Sequence, residues 1–307
     1  MNGNGEQGVQ RLIVAGIAGN VMEWYDFAVY GYFAQTIGQH FFPSKDPVAS
    51  LIAAFGVFAA GFLMRPFGGL VFGHIGDKIG RKAALTLSVI AMAVPTFLIG
   101  ILPDYAQMGV AASVLIVVLR LVQGLSVGGE YTTSVVFLVE GAAPNRRGLM
   151  GSWSVFGAVA GILLGSAVGA LLTSVLSSET VSAWGWRVPF LLGLAVGLSG
   201  LYIRRQLPEA PVQPSNEKPV TSPIVEAFRS EWRALLRVAG FNILNAVGFY
   251  MIFVYVVTYL KQIVHIQAAQ ALDINTINMV ILLLLIPAAG ALSDRVGRKP
   301  LLITSAL

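Results

Sequence analysis

Apolar runs of about 20 residues or more alternate along this chain with short polar stretches rich in Arg, Lys, Asp and Pro. A helix needs about 20 largely apolar residues to cross a bilayer. The pattern therefore predicts spanning helices near 12–36, 49–72, 83–102, 109–138, 150–175, 188–205, 238–260 and 274–292, with a ninth beginning at Pro300 and reaching Leu307. The one long polar interval is 206–237. Its first part contains Pro208, Pro211, Pro214 and Pro219, which oppose regular structure. Ser222 can then cap a helix with Pro223 at its first position. Ile224, Val225, Phe228, Trp232, Leu235 and Leu236 recur at helical spacing opposite Arg229 and Arg233. Residues 223–237 read either as an amphipathic helix on the inner membrane face or as a solvated linker helix. The expected fold is an all-α polytopic membrane protein: a six-helix bundle at 1–205, a cytoplasmic linker at 206–237 and a partial second bundle at 238–307.

Composition supports this class. Only 11% of the 307 residues are charged and 56% are hydrophobic, with a mean hydropathy of +0.74; a soluble domain carries about a quarter charged residues. The absence of cysteine excludes disulfides and thiolate metal sites. The first apolar run contains Glu23 and Asp26 and is long enough to span, so it reads as a retained helix rather than a cleaved signal. With the N-terminus inside, 15 of the 20 basic residues fall in cytoplasmic segments, from Arg11 to Lys299. The outer loops hold Lys45, Arg187 and Lys261, and Arg65 and Arg120 lie within helices. The positive-inside rule then fixes an N-terminus in the cytoplasm. It also accounts for the net charge of +5 without a nucleic-acid partner.

One decapeptide occurs twice. Gly73, Asp77, Lys78, Gly80, Arg81 and Lys82 recur as Gly290, Asp294, Arg295, Gly297, Arg298 and Lys299, in the pattern Gly-x-x-x-Asp-(Lys/Arg)-x-Gly-Arg-Lys. Each copy follows one apolar run and leads into another, as expected for two copies of one membrane unit. The copies are 217 residues apart and eight residues follow the second, so the second unit reads as cut short.

Intramembrane charges supply the candidate chemistry. Glu23 and Asp26 share one face of the first span, and Asn20 and Tyr30 extend that polar stripe. On the fourth span Arg120, Gln123, Glu130 and Ser134 share a face. A rise of about 1.5 Å per residue puts Glu23, Asp26 and Arg120 at similar depth, with Glu130 nearer the cytoplasm. Charges at such depth imply mutual pairing or a wet cavity, and they usually mark transport pathways. The alternative is an ion pair that only joins two helices. Asp26 is the first candidate for carrying a proton and Glu23 the second, with Arg120 as countercharge or as holder of an anionic substrate group. Asn242 and Asn245 on the seventh span are candidates for lining a cavity from the second half. Tyr250, Tyr255 and Tyr259 fit an interfacial belt better. Arg65 reads as a snorkelling structural residue, and Trp184, Trp186 and Arg187 as outer-interface anchors. His40, His74 and His265 have no metal-ligand partner at helical spacing. Gly157, Gly161, Gly165 and Gly169 recur every four residues and form a groove for close helix approach.

The repeated signature resembles the major facilitator superfamily. More narrowly, Gly19-Asn20-Val-Met-Glu23-Trp24-Tyr25-Asp26-Phe27 and Met64-Arg65-Pro66-Phe67-Gly68-Gly69 resemble the metabolite:proton symporter family. So do Gln123-Gly124-Leu-Ser-Val-Gly128-Gly129-Glu130-Tyr131, Trp184-Gly185-Trp186-Arg187-Val-Pro189-Phe190 and Arg204-Arg205-Gln-Leu-Pro208-Glu209. The resemblance implies uptake of an osmolyte or carboxylate-bearing metabolite with a proton, by alternating access, in a bacterial inner membrane. It implies a monomer with lipid, substrate and proton as partners, no cofactor, no metal and no enzymatic activity. Asn20, Tyr30, Arg120, Gln123, Tyr131, Asn242 and Asn245 would bind substrate; Glu23, Asp26, Arg120 and Glu130 would couple protons. The repeated motif would latch the inner gate, with Asp294 partnered by the start of the fifth span and Asp77 by a helix beyond Leu307. The glycine ladder would face the eighth span across the two halves. The alternative is a transport-inactive fragment or partner subunit of such a carrier.

Overall fold

A computed structural model describes residues 3–205, 228–252, 259–260, 263–266 and 268–306. All regular elements among them are helical. In chain order these are α1 (Gly3–Tyr32), α2 (Ala34–Phe41), α3 (Pro47–Leu63), α4 (Arg65–Lys78), α5 (Arg81–Ile101), α6 (Tyr105–Met108) and α7 (Val110–Glu140). They continue with α8 (Arg147–Val175), α9 (Ser178–Ala183), α10 (Val188–Arg205), α11 (Trp232–Tyr250), α12 (Ala268–Val296) and α13 (Arg298–Ala306). Five described stretches are long and apolar enough to cross a membrane: Pro47–Gly76, Lys82–Ile101, Val110–Glu140, Pro144–Val175 and Asp273–Val296.

Several boundaries differ from the sequence reading. The first span bends at Phe33 and runs on through α2 to Phe41. The second is two helices joined at Met64, whose N–H bonds back only three residues to the Gly61 carbonyl at 3.2 Å. Pro66 follows and has no N–H to give the preceding turn, so the helix kinks there. Trp232–Arg237, expected in the linker, are the first turns of α11. Residues 206–227 and Tyr255, and the side chains of Asp77, Arg81, Arg204, Arg205 and Tyr250, lie outside the described part of the chain. The chain forms two compact units. One contains α1–α10 together with Leu285–Arg295 of α12; the other contains α11, the first part of α12 and α13.

In the first unit α1 lies along α8, α5 packs between α7 and α10, and α7 covers α3 and α4. Tyr25, Val29, Tyr30, Ile37, Phe41, Ile99, Ile116 and Phe190 form its larger buried cluster. Trp186 belongs to this cluster with no exposed surface, stacked edge-on against Phe41 and Phe190. It is a core residue, not an interface anchor; Trp184 alone of that pair is exposed. The outward faces of α3, α7 and α8 present Ile52, Leu63, Val110, Leu171 and Val175, the apolar exterior that lipid requires.

Close helix contacts depend on glycine. Gly124 and Gly128 of α7 meet the backbones of Gly61 and Arg65, where a Cβ would collide. The four-glycine ladder of α8 faces α1, within the same bundle, where the resemblance implied the eighth span. A Cβ at Gly157 would stand 2.8 Å from the Ile17 carbonyl oxygen, at Gly161 3.0 Å from Trp24 Cβ, at Gly165 2.8 Å from Ala28 Cβ and at Gly169 2.9 Å from Tyr32 Cδ1. Replacing Gly161 with Leu should destabilise the bundle by about 1–3 kcal/mol, the usual range for overpacking. Thermal unfolding in detergent followed by circular dichroism should show a lowered Tm. Gly56→Leu, where a Cβ meets nothing within 4 Å, should leave the Tm in place.

Candidate functional site

Asp26 lies at the centre of the bundle, on α1. It is 1% exposed and faces Arg120 of α7, also 1% exposed. Arg120 Nη1 donates to Asp26 Oδ2 at 2.5 Å and to Gln123 Oε1 at 2.8 Å. Gln123 Nε2 donates to Asp26 Oδ1 at 2.9 Å and to Thr96 Oγ1 at 2.8 Å. The Thr96 hydroxyl lies 2.9 Å from Asp26 Oδ1 and 2.8 Å from the Met92 carbonyl. Three helices thus converge on one carboxylate. The guanidinium of Arg120 lies 4.0 Å from the Tyr30 ring centroid, with Phe27 and Phe58 at 5.1 and 5.5 Å. Ring faces of this kind stabilise a desolvated cation. Tyr30 is fixed in turn by its hydroxyl, which donates to the Ala54 carbonyl at 3.0 Å. Nε and Nη2 of Arg120 are buried and have no hydrogen-bond partner.

Glu23, one turn before Asp26, is not part of this network. Its carboxylate is buried and neither oxygen is hydrogen-bonded. Arg65 and Glu130 are the charged side chains that act on it. Arg65 does not snorkel to the interface. Its guanidinium lies 4.0, 4.9 and 5.5 Å from the ring centroids of Phe62, Phe27 and Trp24, and its Nε and Nη2 are buried. Glu130 accepts a hydrogen bond from Ser88 of α5.

Asn20 donates to the Gly16 carbonyl and to Ser134 Oγ, each at 2.9 Å, and Ser134 lies 3.3 Å from Ser154 of α8. Tyr131 is partly exposed on α7. Asn242 and Asn245 are exposed on α11, in the second unit; Asn242 donates to the Val238 carbonyl within its own helix. Sequence reasoning does not single out Ser88 and Thr96: they are two of three hydroxyls in the apolar run of α5, with Thr86, and nothing in their spacing marks the two that reach a carboxylate. Among the described residues no group of three or more His, Asp or Glu could hold a metal ion.

The repeated motif has distinct parts. Gly80 and Gly297, at equivalent positions, both adopt positive φ, +120° and +94°. Each ends one helix and starts the next through a conformation that glycine adopts without steric cost. Asp294 reaches the start of α8: Gly148 N–H donates to Oδ1 at 2.7 Å and Leu149 N–H to Oδ2 at 2.8 Å. These are among the N–H groups a helix leaves unpaired at its positive end. Gly290 permits the approach, since a Cβ there would stand 2.7 Å from Ser152 Oγ. So α8 meets the Leu285–Arg295 part of α12, at Gly148 and Ser152. Gly73, the first-copy counterpart of Gly290, faces open space. Lys78, Arg295, Arg298 and Lys299 are exposed.

Comparison with known proteins follows the same architecture. The family model described as sugar (and other) transporter matches residues 12–212. The proline/betaine transporter of Salmonella typhimurium is 39% identical over an alignment covering 97% of this chain and 62% of that protein. The glycine betaine/proline/ectoine/pipecolic acid transporter OusA of Dickeya dadantii is also 39% identical, covering 96% and 61%. The chain therefore spans about three fifths of the length of these relatives. Among solved structures, the proton:xylose symporter XylE bound to 6-bromo-6-deoxy-D-glucose superposes with a TM-score of 0.79 at 19% identity, covering 96% of this chain and 71% of that one. A partially occluded inward-open form of XylE from E. coli gives 0.68 at 19% identity, covering 96% and 73%. These likenesses show the fold, and the family match shows that the chain belongs to the sugar (and other) transporter family.

Proposed function

We propose that this chain serves proton-coupled symport of a small zwitterion or organic acid carrying at least one carboxylate, by alternating access across a bacterial inner membrane, with its N-terminus in the cytoplasm. The observation that carries this reading is the buried Asp26–Arg120 pair with one guanidinium edge, Nε and Nη2, left without a hydrogen-bond partner. That edge presents two parallel donors, the geometry that matches a carboxylate. A proton arriving on Asp26 cancels its charge and loosens its hold on Arg120. The guanidinium then turns its full charge to the substrate carboxylate, so proton and substrate load together. Release of the proton restores the pair and expels the anion. The relatives' names, proline and betaine transporters, favour a zwitterionic osmolyte. Asn20, Tyr30, Gln123 and Tyr131 are assigned to the substrate path of the first unit, and the repeated motif to the inner gate. The surrounding partner is lipid, and the working unit is a monomer.

Uptake of labelled proline, betaine, 2-oxoglutarate, citrate and shikimate into proteoliposomes tests the reading directly. An inward proton gradient should drive accumulation of at least one compound. Asp26→Asn should lower that gradient-driven accumulation about tenfold or more, equivalent to roughly 1.4 kcal/mol or more of lost coupling. Unchanged pH-driven uptake in that variant removes Asp26 from the mechanism.

The gate assignment has its own measurement, helped by a chain without native cysteine. Ser152→Cys places a single thiol beside Gly290. Asp294→Asn weakens the two charge-assisted bonds to the start of α8, and labelling of that thiol by a charged maleimide should then speed up several-fold. An unchanged labelling rate counts against Asp294 as a latch.

A further inference from the structure

Three carboxylates are buried among the described residues of the first bundle: Glu23, Asp26 and Glu130, each 1–2% exposed. Arg120 is paired with Asp26, and Arg65 acts on Glu23. Their hydrogen bonds differ. Asp26 takes donors from Arg120, Gln123 and Thr96. Glu130 takes one from Ser88. Glu23 takes none at either oxygen, although both are buried. The titratable and charged groups that face it are Arg65 on α4 and Glu130 and Tyr131 on α7. Asp26, one turn along α1, is already engaged by Arg120. An ionised carboxylate removed from water requires donors or a closely paired cation, whereas a neutral carboxylic acid tolerates burial far better.

We propose that Glu23 is a second proton-binding site, loaded separately from Asp26, and that it holds its proton in this arrangement of the bundle. The proton is taken from water and returned to water. Glu23 becomes ionised when α1 and α4 shift to bring it into direct contact with Arg65, and no other bond forms or breaks. The guanidinium of Arg65, held over Phe62, Phe27 and Trp24, is positioned to receive that charge. In a transport cycle the two sites together allow two protons to accompany one substrate. That use rests on the symport reading above; the protonation of Glu23 does not.

Infrared difference spectroscopy of the purified 307-residue chain in detergent near neutral pH provides the test. A buried, protonated carboxyl group gives a C=O stretch well separated from ionised carboxylate bands. The wild-type chain should show this band, Glu23→Gln should lose it, and Asp26→Asn should keep it. Glu23→Asp should retain a band at a shifted position, and circular dichroism melts establish that each variant is folded. A wild-type spectrum without the band, or a band unchanged in folded Glu23→Gln, overturns the proposal. Because protonation and not uptake is measured, failure of the symport reading and failure of this one are separable.

Discussion

A charge placed in hydrocarbon must find its countercharge within the protein, and the rest of the first bundle is arranged around that demand at Asp26 and Arg120. On insertion scales each such charge costs about 2.5–3.5 kcal/mol at the centre of a helix. Removing one partner of a buried pair costs about 3–5 kcal/mol because the other is stranded. The pair therefore fixes more than its own two side chains. Gln123 and Thr96 complete the shell of Asp26 and tie α5 and α7 to α1 in one register. Tyr30 supports the guanidinium from below while anchoring to the Ala54 carbonyl of α3. Four helices are thereby held in relative depth by one ionic contact.

Short polar side chains can meet only if the helix backbones come close. Glycine meets that requirement in two places. Gly124 and Gly128 let α7 rest on α3 and α4, which sets Arg65 inside the bundle instead of at its edge. The α8 ladder lets α1 lie in a groove along four successive turns, presenting Asn20 toward Ser134 and Ser154. Lipid offers no hydrophobic drive for helices to associate, so packing of this closeness, together with interhelical hydrogen bonds, must supply the cohesion.

Much of this was legible in the sequence, and the limits have physical causes. Run length found five stretches that the described structure shows as helices long and apolar enough to span, at 49–72, 83–102, 109–138, 150–175 and 274–292, and equal depth brought Asp26 to the level of Arg120. Depth alone did not decide which of Glu23 and Asp26 would take the guanidinium, because a three-residue offset on one helix face is smaller than the reach of an arginine. Thr96 and Ser88 went unnoticed, since a hydroxyl in an apolar run usually bonds to its own helix; here both also bond outward to a carboxylate. The ladder announced close approach but carried no information about its partner, and the partner is α1. Trp186 and Arg187 have the composition of an interface belt, yet Trp186 is buried while Arg187 bonds the Leu102 carbonyl at 2.6 Å. Run length reads 49–72 as one helix, whereas the structure divides it at Met64, just before Pro66, which cannot supply an N–H to the preceding turn.

The two ionic contacts differ in what can replace them, and that difference supports the division of labour assigned to them. Asp294 accepts from the first N–H groups of α8 at a helix end. When such a contact opens at a membrane surface, water can hydrogen-bond both the carboxylate and the freed N–H groups, so the contact is inexpensive to break and remake. The Asp26–Arg120 pair sits where both residues are 1% exposed, and no solvent can take the place of either partner. It can part only if something else neutralises the carboxylate or engages the guanidinium. In the symport proposed above, those are the roles of the proton and of the substrate carboxylate. A bundle built in this way can part at the Asp294 contact at little cost, while its centre holds until one of those two events occurs.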